Sequence, residues 1–130
     1  MIQFDSLDKG FCGTYQGCTV VYTQQDFDNL WDMNYAPMQR PKPTVDFSKE
    51  MVLAAYTGPS GLWSNSGIEI YQVNDVGSAL EALFRPSADS SPVPFVDRIN
   101  AYHLVKVPCS DAEVTFLFES MRIKPWQSRR

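Results

Sequence analysis

The chain has a single histidine, His103, so any site built on two histidines is excluded. Its three cysteines, Cys12, Cys18 and Cys109, are an odd number and do not make a disulfide framework. No apolar run approaches the ~20 residues that a membrane-spanning helix needs. The first ten residues include Asp5, Asp8 and Lys9 and hold no apolar signal-peptide segment, so the chain as written is expected to be soluble, cytoplasmic and not self-exporting. There is no phosphate-binding glycine loop, no Gly-x-Ser-x-Gly element, no EF-hand pattern and no basic stripe interleaved with aromatics. A net charge of −4 argues against a general nucleic-acid binder.

What is present suits one globular domain spanning 1–130. The length of 130 residues is enough to bury a core without staples, and 44% hydrophobic against 20% charged residues argues against global disorder. Charge is unevenly placed. Arg122, Lys124, Arg129 and Arg130 lie in a tail, 120–130, that is basic and expected to be partly flexible.

The periodicities predict a mostly β (α+β) fold. Cys18 to Thr23 is β-branched and aromatic, as strands are. Thr23 then has the character of a helix N-cap, followed by Phe27, Leu30, Trp31 and Tyr35 on one helical face. Pro37, Pro41 and Pro43 end that helix. Met51 to Tyr56 is a continuous apolar run, expected of a strand covered on both faces. Ile68 to Val73, Leu80 to Phe84, Ile99 to Val107 and Glu113 to Glu119 supply further strands, with 85–94 as a flexible Ser/Pro segment. The sum is an antiparallel β-sandwich or half-open barrel of about six strands, with one early amphipathic helix packed on it.

The chemistry-bearing residues fall short of an active site. A Cys–His nucleophile pair needs hydrogen-bond contact. Cys109 lies six residues beyond His103, roughly 20 Å along an extended strand, so only Cys12 or Cys18 could meet His103, through the fold. A Cys₃His zinc site would need closer pairing than the five residues between Cys12 and Cys18. A Cys12–Cys18 bridge and three free thiols both remain open. Asp46 and Glu50 flank Lys49 and suit a turn before a strand better than acid–base work. Asp26, Asp28 and Asp32 suit a solvated helix face.

Two segments carry a family resemblance. Val45-Asp46-Phe47-Ser48-Lys49-Glu50-Met51-Val52 and Tyr102-His103-Leu104-Val105-Lys106-Val107-Pro108, with the aromatic helix around Leu30-Trp31 and Ile68-Glu69-Ile70, resemble the bacterial PrcB C-terminal-like domains. The resemblance runs from about Tyr15 to Phe118. It implies a non-enzymatic accessory domain that works with a protein partner, such as a protease, at the periplasm or cell envelope. The family's loop after its central strand usually carries a Thr-Gly-Gly-Tyr-like element; here that loop reads Pro59 to Gly67 without it.

That loop holds the expected contact residues, Gly61, Leu62, Trp63, Ser64 and Asn65, because an aromatic on a small-residue loop can act as a binding anchor. Trp126 in the basic tail is a further contact candidate. No catalytic residue, cofactor or metal is expected. The partner expected is a protein, with the chain itself a monomer or homodimer. The alternative is a protease inhibitor that inserts the loop into a cleft; a Cys/His hydrolase or metal protein ranks below both.

Overall fold

The computed structural model describes residues 1–11, 17–35, 41–56, 66–90, 101–118, 121–123 and 125, with the backbone alone at 11, 33–35, 66, 88–90 and 121. Its strands are β1 (Asp5–Phe11), β2 (Gly17–Val21), β3 (Glu50–Tyr56), β4 (Ser66–Asp75), β5 (Ala79–Ser90), β6 (Ala101–Pro108), β7 (Glu113–Phe118) and β8 (Met121–Ile123). One helix, α1 (Gln24–Tyr35), lies between β2 and β3. The strands form two four-stranded sheets, in the orders β1-β6-β3-β2 and β4-β5-β7-β8, with no closed barrel.

The first sheet is buried on both faces, and its sequence alternates to suit. In β3, Met51, Leu53 and Ala55 join the core between the sheets, while Val52, Ala54 and Tyr56 face the helix side. Phe27, Leu30 and Trp31 of α1 cover that second face, together with Val45. A run without polar residues is what such a doubly covered strand requires. The helix begins where Thr23 caps it: Thr23 Oγ1 accepts from Asp26 N–H at 3.1 Å. The second sheet contributes Ile68, Ile70, Val73, Leu80, Ala82, Phe84, Val114, Phe116 and Phe118 to the inter-sheet core. Alternate residues such as Glu81, Leu83 and Leu117 point the other way and are half-buried.

All ladders are antiparallel except β5–β7, which is parallel. The cause is topological. β6 leaves the second sheet to pair with β1 and β3 in the first, so the chain re-enters beside β5 in the same direction.

Among the described residues the sandwich has eight strands, the six expected from the sequence and two more. The strand β1 adds one that is polar in sequence, and β8 adds a short edge. The expected flexible segment beginning at Arg85 is, through Ser90, part of β5. Pro86 opposes Ile68 on β4 and lies beyond Phe84, where the β5–β7 pairing ends among the described residues, and such an edge position can accommodate a residue with no N–H. At the β4–β5 turn, Gly77 has φ 93°, and its N–H donates to Asp75 Oδ1 at 2.9 Å. That left-handed backbone is the reason for a glycine there.

Candidate functional site

The chain's only histidine sits where the two sheets meet. β6 places His103 on the face toward the second sheet, between Ala101 and Val105, and leaves it 4% exposed. Its Nε2 is 2.8 Å from Ser6 Oγ on β1, and its Nδ1 accepts from the backbone N–H of Ile70 on β4, also at 2.8 Å. Both partners lie beside irregularities. The β1 register shifts between Ser6 and Asp8, so Leu7 is the extra residue; the β4 register shifts between Ile70 and Gln72, so Tyr71 is. Such bulges re-aim neighbouring groups, and here each flanks a contact to the same ring.

Charged residues surround this junction. Lys9 opposes His103 in register, and its Nζ lies 3.7 Å from Glu69 Oε2. Glu69 in turn accepts from Arg85 Nε at 3.0 Å, and the Arg85 guanidinium lies 4.2 Å from the Tyr71 ring centroid. Burial, with the Lys9 ammonium adding to it and Glu69 opposing it, holds the His103 pKa at about 4.

A serine beside a histidine invites comparison with a hydrolase dyad. For Ser6 to be activated, Nε2 must accept the hydroxyl proton, and a neutral ring must then carry its own proton on Nδ1. Ile70 N–H can only donate, so Nδ1 is the bare nitrogen. The ring proton is therefore assigned to Nε2, which donates to Ser6 Oγ. In this tautomer His103 cannot take a proton from Ser6. The pair lies within the first sheet, on the adjacent strands β1 and β6, and leaves the serine unactivated.

The cysteines do not join it. Pairing places Lys9, His103, Ala55 and Cys18 in one row across the first sheet. Cys18 is two strand spacings from His103, roughly 10 Å, too far for a nucleophile–base bond. It is a free, fully buried thiol whose pKa burial pushes far up, so the thiolate needed for attack is suppressed. Cys109, half-buried in the turn after β6, is not in a disulfide, and its N–H donates to Lys49 O at 2.8 Å. Cys12 lies outside the described residues. Among the described residues, no group of three or more His, Cys, Asp and Glu side chains could hold a metal ion.

The carboxylates serve local structure. Asp46 Oδ1 accepts from Ser48 N–H at 3.0 Å and Ser48 Oγ–H at 2.6 Å, and these bonds hold its pKa below the usual carboxylate range. Glu50 reaches Lys106 at 3.3 Å, beside a cleft of about 310 Å³ also lined by Asp5. A second cleft, of about 180 Å³, lies against Ile2 and Tyr71. On the helix, Asp28 bonds Lys42 and Gln24, and these hydrogen bonds lower its pKa too.

One buried polar atom has no such role. Thr19 Oγ1 on β2 is buried without a hydrogen-bond partner, in a residue 2% exposed.

The expected contact residues Gly61, Leu62, Trp63, Ser64, Asn65 and Trp126 lie outside the described residues. Residues 57–65 connect β3 of one sheet to β4 of the other. Sequence reasoning weighed His103 only against the cysteines and missed Ser6 and Ile70. Nothing local in the sequence signals either, since Ser6 is 97 residues away and Ile70 acts through its backbone.

Compared with family models, curated proteins and solved structures, the chain matches none.

Proposed function

We propose that this chain is a non-enzymatic accessory domain that acts by binding a protein partner. The observation that carries the reading is the state of His103. Both ring nitrogens are engaged, Nδ1 joining β6 to β4 of the other sheet and Nε2 meeting Ser6 on the neighbouring β1, and the tautomer this imposes leaves Ser6 unactivated. The placement of Cys18, buried and two strands from the ring, argues in the same direction. With these groups committed to structure, recognition by surface is the better account.

The resemblance of 45–52 and 102–108 to PrcB C-terminal-like domains supports a protease or an envelope protein as the partner. The contact surface in this reading is the loop with Gly61, Leu62, Trp63, Ser64 and Asn65, assisted by Trp126. A large aromatic anchor is the residue type that dominates binding energy in such contacts. The test is a pull-down from the native host with wild type and with Leu62→Ala and Trp63→Ala combined. Loss of the retained protein in the double variant is expected. Equal retention removes the loop from the reading.

A further inference from the structure

We propose that His103 is an acid-operated latch, which holds the N-terminal segment and β1 against β4 while the ring is neutral and releases them when it takes up a second proton. Two backbone groups of β4 are satisfied from outside its sheet. Ile70 N–H donates to His103 Nδ1, and Val73 C=O accepts from Ile2 N–H at 2.7 Å. The same ring reaches Ser6, four residues after Ile2. One side chain thus closes the junction at which the chain passes from β4's flank into β1.

Protonation breaks this junction for a geometric reason. A protonated Nδ1 carries a hydrogen and cannot accept, so Ile70 N–H faces another N–H and loses that acceptor. A buried donor without a partner is costly. The new charge also has poor company. From β1 it meets the Lys9 ammonium, which opposes it in register. From β4 it meets Glu69, whose carboxylate already serves Lys9 and, from β5, Arg85. β3 offers only Ala55, and the next group along the row, Cys18 on β2, is a neutral thiol.

The parts that would move are the less committed ones. Met1, Gln3, Asp5 and Ser6 are exposed, and Ile2 and Phe4 only half-buried. The bulges at Leu7 and Tyr71 already interrupt the ladders beside the ring. By contrast β3 is buried along its length between β2 and β6, so opening of the junction can precede loss of the core.

Amide hydrogen exchange by NMR on the full chain, corrected for intrinsic rates and run from pH 7.5 to 4, tests the latch. Opening frees the ring to titrate near its ordinary value of 6.5 rather than at about 4. The protection of Ile70 and Ile2 should therefore fall roughly tenfold per pH unit across that interval and lie below that of Leu53 in β3 at every pH, because Leu53 exchanges only through global unfolding. In His103→Gln, whose amide oxygen can still accept, this acid-driven loss at Ile70 and Ile2 should vanish. Ring nitrogen shifts of wild-type His103 give a second readout, independent of the variant's folding, and should show the bare Nδ1 at pH 7 and its protonation at the acid end. Protection of Ile70 that holds down to pH 4, that equals the protection of Leu53 at every pH, or that falls equally in His103→Gln overturns the proposal, as does a ring proton found on Nδ1 at pH 7.

Discussion

Ser6 Oγ stands 2.8 Å from His103 Nε2, and it is the accepting end of that bond. The direction follows from the other side of the ring, where Ile70 N–H leaves Nδ1 no choice but to accept. A contact that would suit nucleophilic catalysis with the proton on the opposite nitrogen is here a tie between β1, β6 and β4.

Stability should depend on pH through this ring. The folded pKa of about 4 lies below the ordinary 6.5, so the unfolded chain binds the proton more tightly. The contribution is complete above pH 6.5 and is lost as pH falls toward 4, by about 3 kcal/mol in total. Urea unfolding at pH 7 and pH 4.5 checks this. Carboxylates also titrate in the range, so the informative quantity is wild type minus His103→Gln. That difference should shrink on acidification, and a difference independent of pH would contradict the assignment.

Thr19→Val should stabilise the protein. The hydroxyl is buried without a partner, and valine keeps the shape while removing the desolvated group. A gain of about 1 kcal/mol is expected, measured as a higher urea midpoint at unchanged m-value. A loss of stability would mean that the hydroxyl is satisfied.

Gly10→Ala should destabilise, through Tyr102. A Cβ at Gly10 would lie 3.1 Å from the Tyr102 hydroxyl oxygen. That phenol cannot easily retreat, because it is fully buried and its O–H donates to Asp8 Oδ2 at 3.0 Å. The cost should be about 1–2 kcal/mol. Adding Tyr102→Phe removes the crowded oxygen, so in thermal unfolding the double variant should lose less than the sum of the singles.

Cys18 should be silent to thiol reagents in the native protein. Its burial and raised pKa both suppress the thiolate. Ellman titration of Cys12→Ser, Cys109→Ser should therefore show no fast thiol until denaturant is added. Fast native labelling would place Cys18 at the surface.

Much of the fold was legible because its strongest local signals agree with its packing. The apolar run Met51 to Tyr56 became a strand covered on both faces, and Thr23 with Phe27, Leu30 and Trp31 marked a capped amphipathic helix. β1 was not legible: Asp5, Asp8 and Lys9 make it polar, and the extra residue at Leu7 breaks its alternation. The later half of β5 has the composition of a loop, yet it pairs with β4 out to Ser90. The parallel β5–β7 pair depends on where β6 goes, which no local pattern encodes. The same holds for the His103 junction, whose partners come from distant strands, one of them as a bare backbone amide.

Capture of partners from the native host's lysate and envelope fractions, with three baits, tests the claim of a binding module most directly. The baits are wild type, Leu62→Ala combined with Trp63→Ala, and Ser6→Ala. The account predicts one protein retained in near-stoichiometric amount by wild type and by Ser6→Ala, and lost from the loop double variant. No specific protein on wild type, or retention that depends on Ser6 and not on the loop, would contradict it.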